Sequence, residues 1–446
     1  MSLLPQPPLA PPRDWSFPVP EHAQLSNGIE TLVYRLPGQH VVAVHLVIDV
    51  PLSAEERAYE GVATICARTL DEGTRSHPGE GFAELLETEG AGFGVDPSLA
   101  GLQAILDVPA SRLGPAMELF AEAVVEPDQA DPDVNRQVQL RLAEIEQARA
   151  NSAHLAGIAF RSAVYAPESR ASRMSGGEPE TVAALTPELV RGFHRDRFRP
   201  QGATLIMAGD FVGDPVAIAE TALGGWQGND GPAAGQSTPG RAQRQSILID
   251  RPGAVQADIR LGGYGIDRRD ERWADITVAS YAMGGAFLSR LNAVLREDKG
   301  YTYGVRMQFS PLRSGGSYAV QGSFRTDVVV DALTEAWRLL DLTGQPITEQ
   351  EVADAVAFFA GVTPLRYATA DGVADQVATQ VLAGLDEDYV DQSLAALRAV
   401  TPKSATAAYQ SLVDLDGLTL VVVGDADRLA EPLRTSGFAD LEVRTA

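Results

Sequence analysis

The sequence predicts an α+β fold made of two homologous domains, each a mixed or mainly antiparallel sheet packed with helices. Three observations lead to this prediction. Short segments recur at one long period, a stretch rich in Gly, Pro, Gln and Ser separates the two copies, and strand patterns follow one another directly before the helix patterns begin. Direct strand-to-strand succession, mixed with helices, favours antiparallel pairing over a regular alternation of strand and helix.

The internal repeat has a period of 215 residues. Residues 203–210 recur as residues 418–425, and their glycines are 424 − 209 = 215 positions apart. At the same offset Val44 falls on Ile259, Arg57 falls on Arg272, and the apolar segment 102–108 falls on 317–323. Random matches would scatter over many offsets, so a shared one indicates a duplicated structural unit.

The repeat and the stretch between its copies divide the chain into four parts. We predict a Pro-rich N-terminal tail at residues 1–14, a first domain at 15–226, a linker at 227–245 and a second domain at 246–446. The linker is predicted because this stretch has few apolar residues and many turn-forming ones.

Hydrophobic periodicity predicts the elements of the first domain. Strands are expected near 29–34 and 41–50, a helix at 55–70, and a strand at 102–108. Two long helices are expected at 112–125 and 133–150, because apolar residues recur there at three- and four-residue spacing. These positions are Leu113, Met117, Phe120 and Val124 in the first helix, and Val134, Val138, Leu142 and Ile145 in the second.

The second domain contains the most informative segment, residues 283–305. Apolar residues at three- and four-residue spacing predict a helix that ends near Gly300, and these are Phe287, Leu288, Leu291, Val294 and Leu295. Alternating Tyr301, Tyr303 and Val305 then predict a strand.

Arg296 and Tyr303 flank this predicted junction between helix and strand. A guanidinium and a phenol held there could both donate hydrogen bonds to one carbonyl oxygen. The alternative is an arginine on a solvated helix end and a tyrosine packed in the core.

The composition of the chain limits the classes of partner that it can bind. Lys plus Arg total 36 and Asp plus Glu total 60, so the formal net charge is 36 − 60 = −24. This charge argues against nucleic acid as a partner. We find no apolar run of about 18 residues, so no membrane partner is expected. Cys66 is the only cysteine, which excludes an internal disulfide. The N-terminus does not have the pattern of a secretory signal, so a cytoplasmic location is expected.

The segment 283–305 resembles the second half of the insulinase/pitrilysin family of zinc peptidases. It has a Gly-Gly, then Ser-Arg-Leu, then Leu-Arg-Glu-x-x-Gly-x-x-Tyr. In that family the arginine and tyrosine of this motif bind the substrate backbone beside the zinc. The resemblance therefore implies that Arg296 and Tyr303 bind substrate, and that two similar halves enclose a cavity. It also implies that residues 91–102 supply an exposed sheet edge for the peptide, although an ordinary Gly-rich turn is an alternative there.

The metal site of the family is degenerate in this sequence. Active members carry His-x-x-Glu-His on a helix of the first half, where residues four apart share one face and hold zinc. The flanking segments 61–63 and 70–74 match the family and place Thr64, Ala67 and Arg68 at the His, Glu and His positions. None of the three can supply the missing chemistry. Glu144 lies 144 − 68 = 76 residues later, near the third ligand position, and is interpreted as an acid on a helix face.

The resemblance therefore implies a zinc-less subunit, with no metal in this chain and zinc in a homologous partner. His40 and His45 are the only histidines three to five residues apart, and they make a weak candidate site. Two alternatives stay open. The chain could be a purely structural subunit of a larger assembly, or a stand-alone metallopeptidase with an unrecognised metal site.

Overall fold

The computed structural model describes residues 15–228 and 240–445. The predicted tail at 1–14 and most of the predicted linker, 229–239, lie outside the described residues, as does Ala446. The described part of the chain forms two six-stranded sheets packed with helices, which confirms the predicted α+β class with two homologous halves.

The first sheet is mainly antiparallel. Its strand order is β1-β2-β6-β3-β5-β4, and only the pair β2–β6 is parallel. The strands are β1 (Glu21–Gln24), β2 (Glu30–Arg35), β3 (Val41–Ile48), β4 (Gly92–Pro97), β5 (Leu102–Pro109) and β6 (Thr204–Gly209). The predicted strands near 29–34, 41–50 and 102–108 are therefore confirmed.

The second sheet repeats this pattern in the order β12-β7-β11-β8-β10-β9. Here β7 pairs in parallel with both β11 and β12, and the other pairs are antiparallel. The strands are β7 (Ser246–Asp250), β8 (Gln256–Gly265), β9 (Val305–Pro311), β10 (Gly316–Arg325), β11 (Thr419–Gly424) and β12 (Glu442–Thr445).

Helices cover both sheets. In the first half they are α1 (Val62–Arg68), α2 (Gly81–Glu89), α3 (Leu113–Val125), α4 (Asp131–Ala150), α5 (Ser152–Val164), α6 (Pro179–Ala183), α7 (Pro187–Arg197) and α8 (Pro215–Leu223). In the second half they are α9 (Trp273–Ser280), α10 (Arg290–Asn292), α11 (Val329–Leu340), α12 (Glu349–Arg366), α13 (Ala370–Ala383), α14 (Tyr389–Ala399), α15 (Pro402–Leu412) and α16 (Ala426–Thr435). Within the described ranges, no helix has both the length and the apolar character needed to cross a bilayer.

The repeat is visible element by element. Helix α7 spans 187–197 and α15 spans 402–412, so both ends are shifted by 215 residues. The outermost strand differs between the halves, because β1 pairs antiparallel with its neighbour whereas β12 pairs in parallel. The outermost strand of the first sheet therefore comes from the N-terminal end of its half, and that of the second sheet comes from the C-terminal end of its half.

The two halves exchange one helix each. Strands β6 and β11 are buried at every position, which requires cover on both sheet faces. One face of each sheet packs against helices of its own half. On the other face of the first sheet, Val373 and Val377 of α13 pack against Leu32 and Ile206. Reciprocally, α5 of the first half packs against the second sheet.

The helix predicted at 55–70 is shorter in the structure. Only α1, Val62–Arg68, is α-helical, and two single 3₁₀ turns precede it at Leu52–Ala54 and Arg57–Tyr59. The break occurs at Gly61, whose φ of 105° is a left-handed conformation. A Cβ at this position would lie 2.9 Å from the carbonyl oxygen of Gly176.

The exchange of helices predicts that a cavity in α5 weakens the second half. Phe160 is 5% exposed and packs in the cluster that contains Ile247 and Val421. We expect Phe160→Ala to lower the free energy of unfolding by about 3–5 kcal/mol and to speed amide hydrogen exchange in β11. Denaturant unfolding and exchange mass spectrometry measure the two effects.

The matched control is Leu365→Ala, because Leu365 is 74% exposed and its truncation should change stability by less than about 0.5 kcal/mol. If amide hydrogen exchange in the Phe160→Ala variant becomes faster only in the first half of the chain, the predicted coupling between α5 and the second half is wrong.

Candidate functional site

The structure brings the degenerate metal-site positions together in one pocket. Thr64, Ala67 and Arg68 of α1 line a cavity of about 770 Å³ with Glu144 of α4. Thr64 and Arg68 are four residues apart on α1, as the sequence spacing predicts for one helix face. The four positions that the resemblance assigns to a metal site therefore share one pocket.

An arginine–carboxylate pair occupies this position. Arg68 donates two parallel hydrogen bonds to Glu144, with Nη1–Oε1 and Nη2–Oε2 distances of 2.8 and 2.9 Å. Arg141 adds a third, weaker contact of 3.2 Å from its Nη1. The hydrogen bond from Arg68 is the main cause that holds the pKa of Glu144 below its ordinary value. Glu144 is therefore not simply a solvated helix-face acid, since its charge is balanced inside the pocket.

The residues present do not fit a zinc ion. The carboxylate at the third ligand position is already neutralised by Arg68, whose permanent charge would repel a dication. Within residues 15–228 and 240–445, no group of three or more His, Cys, Asp and Glu side chains is arranged to hold a metal. The candidate pair His40 and His45 does not form a metal site either. His45 is buried with its Nδ1 2.6 Å from Gln103, and burial lowers the pKa of His45 to about 4, whereas His40 is largely exposed.

A buried ion network holds the start of α1. Glu55 accepts hydrogen bonds through Oε1 from the backbone N–H groups of Gly61 and Ala63, both at 3.0 Å. Its other oxygen accepts from Nε and Nη2 of Arg170 at 3.1 and 2.9 Å. Burial raises the pKa of Glu55, and Arg170 together with the two backbone amides opposes that effect. The carboxylate caps α1 and ties it to a segment about a hundred residues later.

The network continues through a second pair. Glu60 accepts from Arg173, with distances of 2.6 Å to Nη2 and 2.7 Å to Nε. Sequence reasoning missed these residues, because no periodic pattern links positions 113 and 115 residues apart. The two arginines lie in the same short segment, residues 170–173, and that local clustering was the one available signal.

Arg296 and Tyr303 line a second pocket, of about 650 Å³. Arg296 lies in a π-helical turn, Ala293–Asp298, and Tyr303 lies in the loop before β9. Gly284 allows this arrangement, because a Cβ there would lie 2.3 Å from the backbone nitrogen of Met307 in β9. The junction between helix and strand places both side chains on the same cavity.

The local secondary structure differs from the predicted helix and strand. Phe287 and Leu288 precede the helical turns and are 74% and 69% exposed, so they do not belong to the predicted apolar stripe. A π-helical turn at Tyr281–Gly285 and an irregular segment come first. The strand begins at Val305, so Tyr301 and Tyr303 are in the loop. The spacing of apolar residues predicted a helix here because periodicity depends on residue type alone and does not distinguish exposed from buried side chains.

Arg296 is held by its neighbours. Its Nη2 donates to the carbonyl oxygen of Phe287 at 2.9 Å and its Nε donates to Glu297 at 2.7 Å. The guanidinium also lies 3.7 Å from the centroid of the Phe287 ring. Tyr303 is 97% exposed, and none of the described residues hydrogen-bonds to its hydroxyl. The guanidinium of Arg296 is thus held in position by its neighbours, whereas the hydroxyl of Tyr303 is open to solvent.

Residues 91–102 form a sheet edge rather than only a turn. Strand β4, Gly92–Pro97, is the outermost strand of the first sheet and pairs on one side with β5. Val95, Asp96 and Pro97 also line the first pocket. An edge strand with one unpaired side, next to a pocket, can accept an extended peptide as an added strand.

Comparison with known proteins agrees with the fold. A family model described as Insulinase (Peptidase family M16) matches residues 31–174, and one described as Peptidase M16 inactive domain matches residues 184–358. Together the two models cover well over half of the chain. The chain belongs to the insulinase, or M16, peptidase family.

Similar curated proteins carry two kinds of name. An uncharacterized zinc protease of Streptomyces coelicolor is 28% identical over 53% of this chain and 53% of its own length, so that alignment spans about half of each protein. A non-peptidase homolog of Helicobacter pylori is 22% identical over 86% of this chain and 88% of its own.

Solved structures show the same fold. The peptidase M16 inactive domain from Pseudomonas fluorescens has a TM-score of 0.82 at 23% identity and covers 91% of this chain and 98% of its own. A protease from Helicobacter pylori has a TM-score of 0.81 at 14% identity, covering 92% and 100%. At these identities the likeness establishes the fold alone.

The site geometry predicts that zinc binding can be rebuilt. We expect the triple variant Thr64→His, Ala67→Glu, Arg68→His to retain about one zinc per chain through gel filtration, because Glu144 then completes a three-ligand set. The unaltered chain should retain far less than one equivalent. Elemental analysis measures both. The control adds Glu144→Gln to the triple variant and should lose the metal, and stoichiometric zinc in the unaltered chain would refute our interpretation of the site.

The buried network predicts a large stability loss. Arg170→Met leaves Glu55 buried and unpaired, so we expect the free energy of unfolding to fall by about 3–5 kcal/mol. Arg149→Met is the control, because Arg149 makes an exposed pair with Glu146 and should cost less than about 1 kcal/mol. Equal losses in urea denaturation of the two variants would contradict the role of the network.

Proposed function

We propose that this chain is a non-catalytic subunit of a zinc metallopeptidase of the insulinase/pitrilysin type. It binds peptide substrate and completes the active site of a zinc-bearing homologous subunit. One observation carries the proposal: the metal position is filled by the Arg68–Glu144 pair, whereas Arg296 and Tyr303 still line one pocket. The chain has kept groups that can hold a peptide and lacks those that would cleave it.

In the proposed complex, Arg296 and Tyr303 donate hydrogen bonds to a peptide carbonyl. The exposed hydroxyl of Tyr303 is available without rearrangement. Arg296 has to exchange its bond with the carbonyl of Phe287 for one with the substrate, which conserves the number of hydrogen bonds. The peptide backbone pairs with the free edge of β4.

The partner is proposed to supply the zinc and the carboxylate that activates water. The curated relative named as a non-peptidase homolog supports a family role without catalysis. Nucleic acid is not proposed as a partner, given the net charge of −24. The cytoplasm remains our proposed location.

A purely structural subunit is the alternative. A chain of complex III2 from Candida albicans has a TM-score of 0.75 at 14% identity, which shows a shared fold only. A structural role does not require a fully exposed tyrosine beside a stacked arginine in one pocket. Co-purification with a homologous chain that carries His-x-x-Glu-His supports the peptidase subunit, and recovery in a membrane complex supports the alternative.

The proposal predicts that Arg296→Ala lowers kcat/KM of the reconstituted complex. Losing one donor to the carbonyl oxygen in the transition state should cost about two to four kcal/mol. Assembly should be unchanged, because Arg296 contacts only residues of its own segment. Peptidase kinetics and size-exclusion chromatography measure the two effects.

Tyr303→Phe, which removes only the hydroxyl, should also lower kcat/KM. Arg325→Ala is the control, because Arg325 is exposed, pairs with Asp327 and does not line the pocket. Unchanged kcat/KM in Arg296→Ala would remove the proposed role.

A further inference from the structure

A third pocket lies where the two halves meet. It has a volume of about 360 Å³ and is formed by residues 97–100 of the first half, residues 311–313 of the second half and the end of α13. The two turns, which connect β4 to β5 and β9 to β10, are related by the internal repeat, since 98 + 215 = 313. The pocket therefore lies where equivalent parts of the two halves face each other.

Arginines provide the charge in this pocket. Among the described residues that line it, the charged ones are Arg161, Arg268 and Arg313, and the hydroxyl groups of Ser98, Ser175 and Thr379 add polar atoms. All three arginines are half-buried. None has a carboxylate within 4.0 Å in the part of the chain that the structure describes.

Arg161 is fixed by neutral groups only. Its Nε and Nη2 both donate to the carbonyl oxygen of Ala171 at 3.2 Å, and Nη2 also donates to that of Arg173 at 3.2 Å. Carbonyl acceptors orient the guanidinium but leave its full positive charge uncompensated. Burial lowers the pKa of Arg161, as expected for a cation without a counter-ion.

Three arginines without a counter-ion are unusual in a chain with a net charge of −24. Like charges gathered in a half-buried cavity repel one another, and each has lost part of its hydration. An anion bound between them would relieve both penalties. The guanidinium group is also suited to carboxylate, which it binds through two parallel hydrogen bonds.

The arginine pocket adjoins the first pocket. Pro97, Arg161 and Ser175 line both cavities. Strand β4 runs along the first pocket and its last residue, Pro97, reaches the third. A peptide added to the free edge of β4 advances about 3.3 Å per residue. It would therefore enter the arginine pocket roughly three residues beyond the position opposite Val95.

We propose that this arginine pocket binds a carboxylate of the peptide substrate, either the C-terminal carboxylate or an acidic side chain. The proposal rests on the proposed function and adds a substrate class to it. Arg268 and Arg313 are the specificity-determining residues, because no hydrogen bond of the described structure engages their side chains. Arg161 forms the fixed wall.

The test measures peptide binding by the full chain without a partner. The probes are three pools of ten-residue peptides with randomised uncharged residues, each labelled at its N-terminus with an uncharged coumarin dye. The first pool ends in a free carboxylate, the second ends in an amide and has one Glu at a randomised position, and the third ends in an amide and has no acid. Each is tested on the unaltered chain, on Arg268→Gln/Arg313→Gln, and on Arg338→Gln. The last is the control, because it removes an exposed charge paired with Glu335.

We expect the first or second pool to be retained at least about tenfold better than the third. Preference for the first pool identifies the terminal carboxylate as the ligand, and preference for the second identifies the side chain. In Arg268→Gln/Arg313→Gln the preference should fall to within about twofold, whereas Arg338→Gln should keep it. The single variant Arg313→Gln, with circular dichroism as a fold check, replaces the double variant if that one is unstable.

Equal retention of all three pools by the unaltered chain overturns the inference and leaves the proposed peptide-binding function standing. A preference that survives in Arg268→Gln/Arg313→Gln also overturns it. Retention of no pool contradicts the proposed function itself, and the inference falls with it.

Discussion

The burial of both faces of each sheet is the constraint on which the rest of the structure depends. A mixed sheet whose central strand is buried at every position needs cover on two sides, and each half covers only one of them with its own helices. Helix α13 of the second half covers the remaining face of the first sheet, and helix α5 of the first half covers the remaining face of the second sheet. The two halves therefore share hydrophobic clusters. This fixes where the first and third pockets meet, because Arg161 of the exchanged α5 lines both.

Two of the positions that the resemblance assigned to a metal site, Arg68 and Glu144, form an ion pair in this structure. In a metal site, the third-ligand carboxylate is balanced by the ion. Here Arg68 supplies the balancing charge through two hydrogen bonds to Glu144, at the helix position where the family has a ligand. The position of α1 does not depend on that centre, since Glu55 and Arg170 hold its first turn from inside the core. An internal ion pair thus balances the charge of Glu144 in this pocket.

The sequence predicted much of the fold, because strands leave a period-two pattern and a duplication leaves a constant offset. The spacing of Thr64, Arg68 and Glu144 gave no sign that the latter two pair, since spacing does not specify side-chain contacts. The sequence pattern misassigned Phe287 and Leu288, because an exposed apolar residue cannot be told from a buried one by periodicity. The exchange of helices α5 and α13 between the halves could not be predicted from the sequence for a similar reason. A repeat shows that two units exist, not which unit covers which sheet.

Two pocket arginines, Arg161 and Arg260, differ from surface arginines in their partners. Surface arginines such as Arg338 and Arg434 pair with a nearby glutamate on the same helix, which cancels their charge. Arg161 and Arg260 instead donate to backbone carbonyls. Arg141 and Arg296 also donate to a carbonyl, but each pairs with a glutamate as well. A carbonyl orients a guanidinium without neutralising it. An acidic chain can thus keep positive, directed donors inside its cavities, which is what binding the carbonyl and carboxylate oxygens of an extended peptide requires. A purely structural scaffold would have no need to maintain that separation of charge.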